Sequence, residues 1–391
     1  MVKQSDLRVL FVVDAMKGRN GVGAYFQDLV AHLQDRVARV ELVSPSLEEP
    51  HPCQGASIPI PGDATQRLFF PKMRELTALM WEMKPHVVVI PGPGIFSLGA
   101  YWAAGKLGIP VCVTFQTDYD KLVRLYWGSR LARLAGGFLN WLNRTLFRGS
   151  SAVVTISEDM LGKARQAGAR HPQLVGTPLA PEFVHTPVTP LADTVSSVLY
   201  VGRLAAEKNI DRFLELAAER PELTFTVAGD GPQRDKVEAA AERYPNLRYL
   251  GWCDRATVVR ALDQAQVLIL PSTVEAFGTV ALEALARERL VITAPACGIN
   301  QWPALGAALV VQGREQSLAR ALAELESKSA SSRALRARSG RSAAVLMNEQ
   351  AVGHWLRVLE QCAGQANSLP KPWPSPTLAL LRRLSTQVRV G

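Results

Sequence analysis

Short apolar runs alternate with stretches of helical period along most of this chain. "LRVLFVVD" reads as a strand, the glycine-rich "GRNGVG" as a turn and "AYFQDLVAHLQ" as an amphipathic helix. "VARVELVS" is the next strand, and "TQRLFFPKMRELTALMWEMK" reads as one helix. "HVVVIPG" and "PVCVTFQ" read as strands on either side of the helix "GIFSLGAYWAAGKLG". A basic helical stretch ending near residue 148, the strand "SAVVTIS" and the helix "EDMLGKARQAG" complete a first half. Several strands are apolar at every position, which fits a parallel sheet covered by helices on both faces.

The pattern lapses in "GTPLAPEFVHTPVTPLADTV", which carries Pro178, Pro181, Pro187 and Pro190, and then restarts. Strands are read at "SVLYVGRL", "LTFTVAGDGP", "LRYLGW", "QVLILPS" and "LVITAP". Between them lie the helices "NIDRFLELAAERP", "QRDKVEAAAERYP", "RATVVRALDQA" and "GTVALEALARE". After the last of these strands come "REQSLARALAELESK" and a late helix "EQAVGHWLRVLEQCAG". The expected fold class is α/β, with two doubly wound, Rossmann-like parallel-sheet domains facing a cleft. The expected division is an N-terminal domain at 1–180, a linker at 181–195 and a second domain at 196–345. A helix at 346–364 is expected to pack back toward the first domain, and 365–391 forms a proline-rich basic tail.

A length of 391 residues suits two domains, and 48% hydrophobic with 20% charged residues is ordinary for a globular chain. "MVKQSDLRVLFVVDAMKG" lacks the apolar length of a signal peptide, and Pro91, Gly92, Pro93 and Gly94 interrupt the longest uncharged stretch. Cys53, Cys112, Cys253, Cys297 and Cys362 are scattered without a Cys-x-x-Cys, which argues against zinc or a disulfide framework and fits a cytoplasmic setting. The net charge of +9 is unevenly placed. Lys121, Arg124, Arg130, Arg133, Arg144 and Arg148 occur without an acidic residue between 121 and 157, interleaved with Tyr126, Trp127, Phe138, Trp141 and Phe147. Lys371, Arg382, Arg383 and Arg389 add a basic tail. These stretches, 121–148 and the tail, are expected to meet an anionic membrane surface, at the inner face of the cell membrane. Nucleic acid is not an expected partner, because no recognition module accompanies the charge.

Three segments carry candidate chemistry. In "VGRLAAEKN", Arg203 ends a strand and Lys208 precedes a helix, so two cations and a helix start can clamp a diphosphate. In "VAGDGP", Gly229 and Gly231 let backbone approach a ligand, a weaker signal because ordinary turns use the same residues. In "EAFGTVALE", Glu275 and Glu283 flank seven residues, with a helix expected to begin at Thr279 as N-cap. Backbone N–H groups around Phe277, Gly278 and Thr279 can then meet sugar hydroxyls or phosphate oxygens, while each carboxylate accepts from a diol. A solvated glutamate near a helix start accounts for Glu283 but not for Glu275.

Together, "EAFGTVALE" and "VGRLAAEKN" resemble the signature of the family 4 retaining glycosyltransferases (glycosyltransferases group 1), which have the GT-B fold. The family's paired glutamates fall on Glu275 and Glu283, its Arg and Lys on Arg203 and Lys208, and its N-terminal glycine loop on "NGVGAY", Gly21 to Gly23. Order and spacing match over about residues 7–363. "PGPGIFSLGA" and "VTFQTDYD" look like the members that move mannose, glucose or sulfoquinovose to lipid acceptors. There the chain departs from the family in carrying Gln116 where a histidine lines the active site, and "GTPLAP" replaces a common Gly-Val-Asp.

The resemblance implies transfer of a hexose from a UDP- or GDP-sugar, with retention of configuration, to a lipid or lipid-linked acceptor. It makes Arg203, Lys208 and Glu275 catalytic. It gives Gly21, Gly23, Gly229, Gly231, Phe277, Gly278, Thr279 and Glu283 to the donor, and sets Gln116 and Asp118 on the acceptor or sugar side. It implies no cofactor beyond the donor substrate and no metal, so Asp118-Tyr119-Asp120 is read as a chance Asp-x-Asp. "LGWC" at 250–253 is placed near the base. Two other readings compete. A nicotinamide-dependent oxidoreductase would use "GRNGVG" and Glu41, but leaves Arg203, Lys208 and Glu275 unexplained. A catalytically silent relative, acting as a nucleotide-sugar-binding or membrane-associated scaffold, is suggested by Gln116.

Overall fold

The computed structural model describes residues 3–16, 21–60, 63–118, 129–313 and 316–365. In chain order the first strands are β1 (Arg8–Val12), β2 (Arg39–Val43), β3 (Gln54–Ile60), β4 (Asp63–Pro71), β5 (Val87–Ile90), β6 (Val111–Phe115), β7 (Ala152–Thr155) and β8 (Pro172–Leu174). Six of them form a sheet in the order β2-β1-β5-β6-β7-β8, and every pairing in it is parallel. The helices of this half are α1 (Gly21–Leu33), α2 (Met73–Met83), α3 (Ile95–Leu107), α4 (Ser129–Gly149) and α5 (Glu158–Gln166). Right-handed crossovers put α1 on one face of the sheet and α3, α4 and α5 on the other. Strands β5, β6 and β7 are buried at every position, as such a two-faced sheet requires.

The second half repeats the plan. It contains β9 (Ser197–Val201), α6 (Ile210–Glu219), β10 (Thr224–Ala228), α7 (Arg234–Arg243), β11 (Leu247–Tyr249), α8 (Arg255–Gln264) and β12 (Val267–Leu270). It continues with α9 (Thr279–Ala286), β13 (Leu290–Thr293), β14 (Leu309–Val311), α10 (Leu318–Glu326) and α11 (Ala330–Ala363). The sheet order is β11-β10-β9-β12-β13-β14, again all parallel. In each sheet the first strand, β1 or β9, is flanked by neighbours that leave it in opposite directions. That reversal opens a crevice at the carboxyl ends of the strands.

Four arginines fasten the connection between the halves to the second domain. Arg287 is fully buried and donates to the Thr186 carbonyl at 2.9 Å and the Pro187 carbonyl at 2.5 Å, while its Nε donates to Asp263 at 2.9 Å. Arg289 donates to the Thr189 carbonyl and Arg333 to that of Asp193. Arg341 reaches the Val184 carbonyl at 3.1 Å.

Helix α11 spans 34 residues and serves both domains. Its Gly340 lies so close to α9 that a Cβ there would sit 2.8 Å from Leu285 Cδ2. Farther along, Asn348 Oδ1 accepts from the Leu179 amide at 2.8 Å, and Trp355 Nε1 donates to Tyr25 Oη at 2.7 Å.

Two expectations need correction. Residues 65–84 are not one helix: 63–71 form β4, paired antiparallel with β3, and α2 begins at Met73. The hairpin partner supplies hydrogen bonds that overrule the local helix-like spacing of Leu68, Phe69 and Phe70. The final helix is not confined to 346–364. It starts at Ala330 and runs through the boundary drawn at 345, held by burial of Ala337, Gly340 and Ala344 rather than by intrinsic propensity.

Candidate active site

Strands β10, β9 and β12 are adjacent and parallel, so the loops leaving their carboxyl ends stand side by side. These loops carry Gly229 and Gly231, Arg203 and Lys208, and Glu275 respectively. The geometry at Gly229 admits no side chain. Its φ is 146°, and a Cβ there would lie 1.8 Å from the Gly202 carbonyl oxygen. Gly231 is packed against the Leu204 backbone in the same way.

Lys208 and Glu275 come together across this edge, with Nζ 2.5 Å from Oε2. Burial works against the Lys208 charge, but Glu275 and then Glu207 outweigh it and hold the ammonium above its ordinary pKa. Lys208 therefore stays cationic in a sheltered place. Arg203 pairs with the buried Glu207 at 3.2 Å, and Tyr200 Oη donates to the Arg203 carbonyl at 2.9 Å. The Glu207 carbonyl in turn accepts from the Thr273 amide at 2.8 Å, which ties the two cation-bearing turns to the glutamate loop.

The glutamate loop is braced from β13. The Gly298 amide donates to the Glu275 carbonyl at 3.0 Å and the Ile299 amide to that of Phe277 at 2.7 Å. The Phe277 ring is buried edge-on to Trp302, whose Nε1 donates to the Ile156 carbonyl of the first domain at 3.0 Å. Thr279 is the first residue of α9 rather than its cap. Gly278 holds the N-cap position in the left-handed region, with φ 102° and no side-chain bond. The tight turn after a buried Phe277 demands that backbone geometry, so the expectation of Thr279 as N-cap is corrected.

Glu283 lies on α9 but is not beside Glu275 in its ion pair. Burial pushes its carboxyl up to about 8, the Asp28 carboxylate pushes the same way, and Arg255 pulls against both. Asp28, from α1 of the facing domain, is 1% exposed and ion-paired with Arg255 at the start of α8. Burial pushes Asp28 up to about 7 despite that partner. Neither Asp28 nor Arg255 stands out in the sequence, because their meeting depends on the two domains facing one another.

On the first domain, Gly21 and Gly23 open α1 directly after β1, with Gly23 buried. Asp14, also past the end of β1, accepts from the Phe96 amide at 2.6 Å and the Ser97 amide at 3.2 Å, which pins the start of α3. Gln116 follows β6, is 5% exposed, and its Nε2 has no hydrogen-bond partner among the described residues. Asp118 is held by Lys163 of α5. Tyr119 and Asp120 lie outside the described residues. Among the described residues no cluster of three or more His, Cys, Asp or Glu side chains is arranged for a metal ion. Glu41 is occupied by Arg39 at 2.9 Å.

The described part of α4 buries Leu142, Leu146 and Phe147 and exposes Phe138, Trp141, Arg144 and Arg148. The Phe138 and Trp141 rings stack with centroids 5.9 Å apart. Lys121 and Arg124 lie outside the described residues, as do the side chains of Arg130 and Arg133 and the tail from 366. No helix among the described residues is long and apolar enough to cross a membrane.

Comparison with known proteins agrees with this architecture. The sequence model for glycosyl transferases group 1 matches residues 185–343, and that for a glycosyl transferase 4-like domain matches 20–180. A GDP-mannose-dependent alpha-mannosyltransferase of Mycolicibacterium smegmatis is 29% identical over 62% of this chain and 65% of its own length. A sulfoquinovosyl transferase of Arabidopsis thaliana is 22% identical over 70% of this chain and 56% of its own. The match thus spans less than two thirds of either relative. Sucrose-phosphate synthase of Thermosynechococcus elongatus superimposes with a TM-score of 0.66 at 17% identity, covering 98% of this chain and 100% of that one. HepE of Anabaena, in complex with UDP and glucose, gives 0.61 at 16% identity, covering 89% and 99%. With two facing parallel-sheet domains, and both halves matched in sequence, the chain belongs to the family 4 glycosyltransferases (glycosyltransferases group 1) of the GT-B fold.

Proposed function

We propose that this protein transfers a hexose from a nucleoside-diphosphate sugar to an acceptor. The observation that carries the reading is the Lys208–Glu275 pair, set beside Arg203 where three adjacent parallel strands end. A sheltered cation next to a second cation stabilises the charge that builds on a departing diphosphate, the electrostatic part of the reaction. Glu275, oriented by Lys208, is placed to accept from sugar hydroxyls. The backbone of Phe277 to Thr279 meets the same sugar, and Glu283 accepts from the ribose diol. The closely packed backbone at Gly229 and Gly231 and the α1 start at Gly21 and Gly23 approach the phosphates, with the helix terminus adding a favourable field. Gln116 donates from its buried Nε2 to the sugar or acceptor without titrating. Relatives named for GDP-mannose, and a structural neighbour holding UDP, support a donor of either base.

The reaction proceeds with retention of configuration and needs no metal, the charge being carried by Arg203, Lys208 and the helix start. The acceptor is lipid or lipid-linked, at the inner membrane face, and is reached through the aromatic and arginine stripe of α4. Calorimetric titration of the purified protein with UDP and with GDP, followed by assay of donor hydrolysis and transfer, tests the reading. Binding of one nucleotide, lost in Lys208→Ala, and turnover of the matching sugar donor are expected. Binding without turnover would instead favour a silent scaffold, the alternative that Gln116 raises.

A further inference from the structure

At the α1 end of the cleft, a side chain of the second domain reaches across to the first. Arg255, the first residue of α8, forms an ion pair with Asp28 and donates from Nη2 to the Ala24 carbonyl at 3.3 Å. Both partners belong to α1, one in its first turn and one a turn later, so the guanidinium fork grips the helix at two points. The helix they hold begins with Gly21 to Gly23. Its axis therefore cannot tilt away from the second domain without breaking both contacts.

The surrounding charges make this grip consequential. Glu283 on α9 and Glu182 in the linker region face Asp28 as further carboxylates, and Arg255 is the cation that offsets Asp28 and Glu283 together. Without it, Asp28 and Glu283 confront each other across the domain boundary with little water to screen them. Arg255 also follows the exposed Trp252 by three residues, so it leaves the sheet edge where a nucleotide base is expected.

We infer that Arg255 is a positioning residue, which holds the start of α1 over the donor site and so couples the placement of that helix to donor binding. The coupling part of this inference rests on the glycosyl-transfer reading above, whereas the grip on α1 does not. Nucleotide bound between Glu283 and α1 would lie against a helix already fixed in place. In a protein lacking the strut, part of the binding energy goes into bringing α1 to the ligand. The Trp302–Ile156 bond and α11 still join the domains in that case, so the variant is expected to fold.

The test has two arms on the full chain. Hydrogen exchange over residues 21–28 is measured without nucleotide in the wild type, Arg255→Ala, Arg255→Lys and Arg260→Ala. Arg260 lies on the same helix and is exposed, bonding within α8 to Thr257, so it serves as control. Protection over 21–28 should fall about tenfold or more in Arg255→Ala, recover in part in Arg255→Lys and stay at the wild-type level in Arg260→Ala. In the second arm, the donor KM of Arg255→Ala should rise by about tenfold, within the usual range of coupling between two sites, with kcat changed much less. Unchanged protection over 21–28 in Arg255→Ala would overturn the strut. Lost protection with unchanged donor KM would overturn its coupling to the donor. If the wild type binds neither UDP nor GDP, the transfer reading and the coupling fall together, while the exchange arm still decides on the strut.

Discussion

Lys208 Nζ stands 2.5 Å from Glu275 Oε2, joining a turn after β9 to a loop after β12. Glu275 holds the Lys208 ammonium in its charged form within a sheltered edge of the sheet, so removing the carboxylate leaves a cation with less compensation. Lys208→Ala is expected to lower turnover by about 10²–10³-fold, the usual cost of deleting a preorganised electrostatic contact. Glu275→Gln should reduce turnover comparably while leaving nucleotide affinity within a few-fold. Steady-state kinetics beside calorimetry will separate the two. Loss of nucleotide affinity in Glu275→Gln with turnover intact would place this glutamate on the nucleotide instead.

Glu283 and Asp28 make stability depend on pH in a defined direction. Their carboxyls rise from ordinary values of 4.5 and 3.8 to about 8 and about 7 in the folded chain. The folded state thus binds more protons than the unfolded state between those limits. The stability these two groups contribute is full below pH 4 and declines as pH rises toward 8. Glu283→Gln should remove part of that decline, gaining stability at pH 8 and almost nothing at pH 4. Thermal unfolding across that range measures it, and an equal effect at both ends would refute it. Nucleotide binding that brings ribose hydroxyls to Glu283 favours the ionised form. Protons should therefore be released on binding near pH 7.5, visible as a buffer-dependent enthalpy.

Gly229→Ala probes the approach of backbone to ligand. A methyl group 1.8 Å from the Gly202 oxygen forces the β9 and β10 loops apart. Overpacking of this kind costs ~1–3 kcal/mol, read from urea unfolding. The same shift should weaken nucleotide binding. Retained wild-type stability would show that the loops part freely.

The α4 stripe predicts attachment to anionic lipid. Combined replacement of Arg130, Arg133, Arg144 and Arg148 with glutamine should release the protein from vesicles containing phosphatidylglycerol, each charge being worth ~1 kcal/mol near such a surface. Trp141→Ala should weaken binding further through lost apolar contact. Vesicle binding that survives all five changes would assign the stripe another role.

The alternation of apolar strands and amphipathic helices is readable along the chain because buried parallel strands carry their pattern locally. Arg203, Lys208, Glu275 and Glu283 are readable for a related reason, since each sits at a fixed offset from a strand end. What escaped was non-local. β4 looks helical until β3 pairs with it, and β3 hides behind Gly55 and Pro59. The first half of α11 stays unassigned inside the second domain, because Gly340, which lets two helices touch, interrupts its helical pattern. Asp28 and Arg255 are separated by more than half the chain and meet only in the assembled cleft.

The chain passes between the domains twice, once after Leu179 and once along α11. Because the Leu179 amide bonds Asn348 at that place, the two crossings are pinned at one spot. The arginines that fasten the linker keep it from acting as a tether. The domains are therefore hinged at that one crossing and latched away from it, by Arg255 on α1 and by Trp302 on Ile156. A latch set away from a hinge works on the longer lever arm, so a few side-chain bonds there restrain a rotation that packing at the crossing alone would permit.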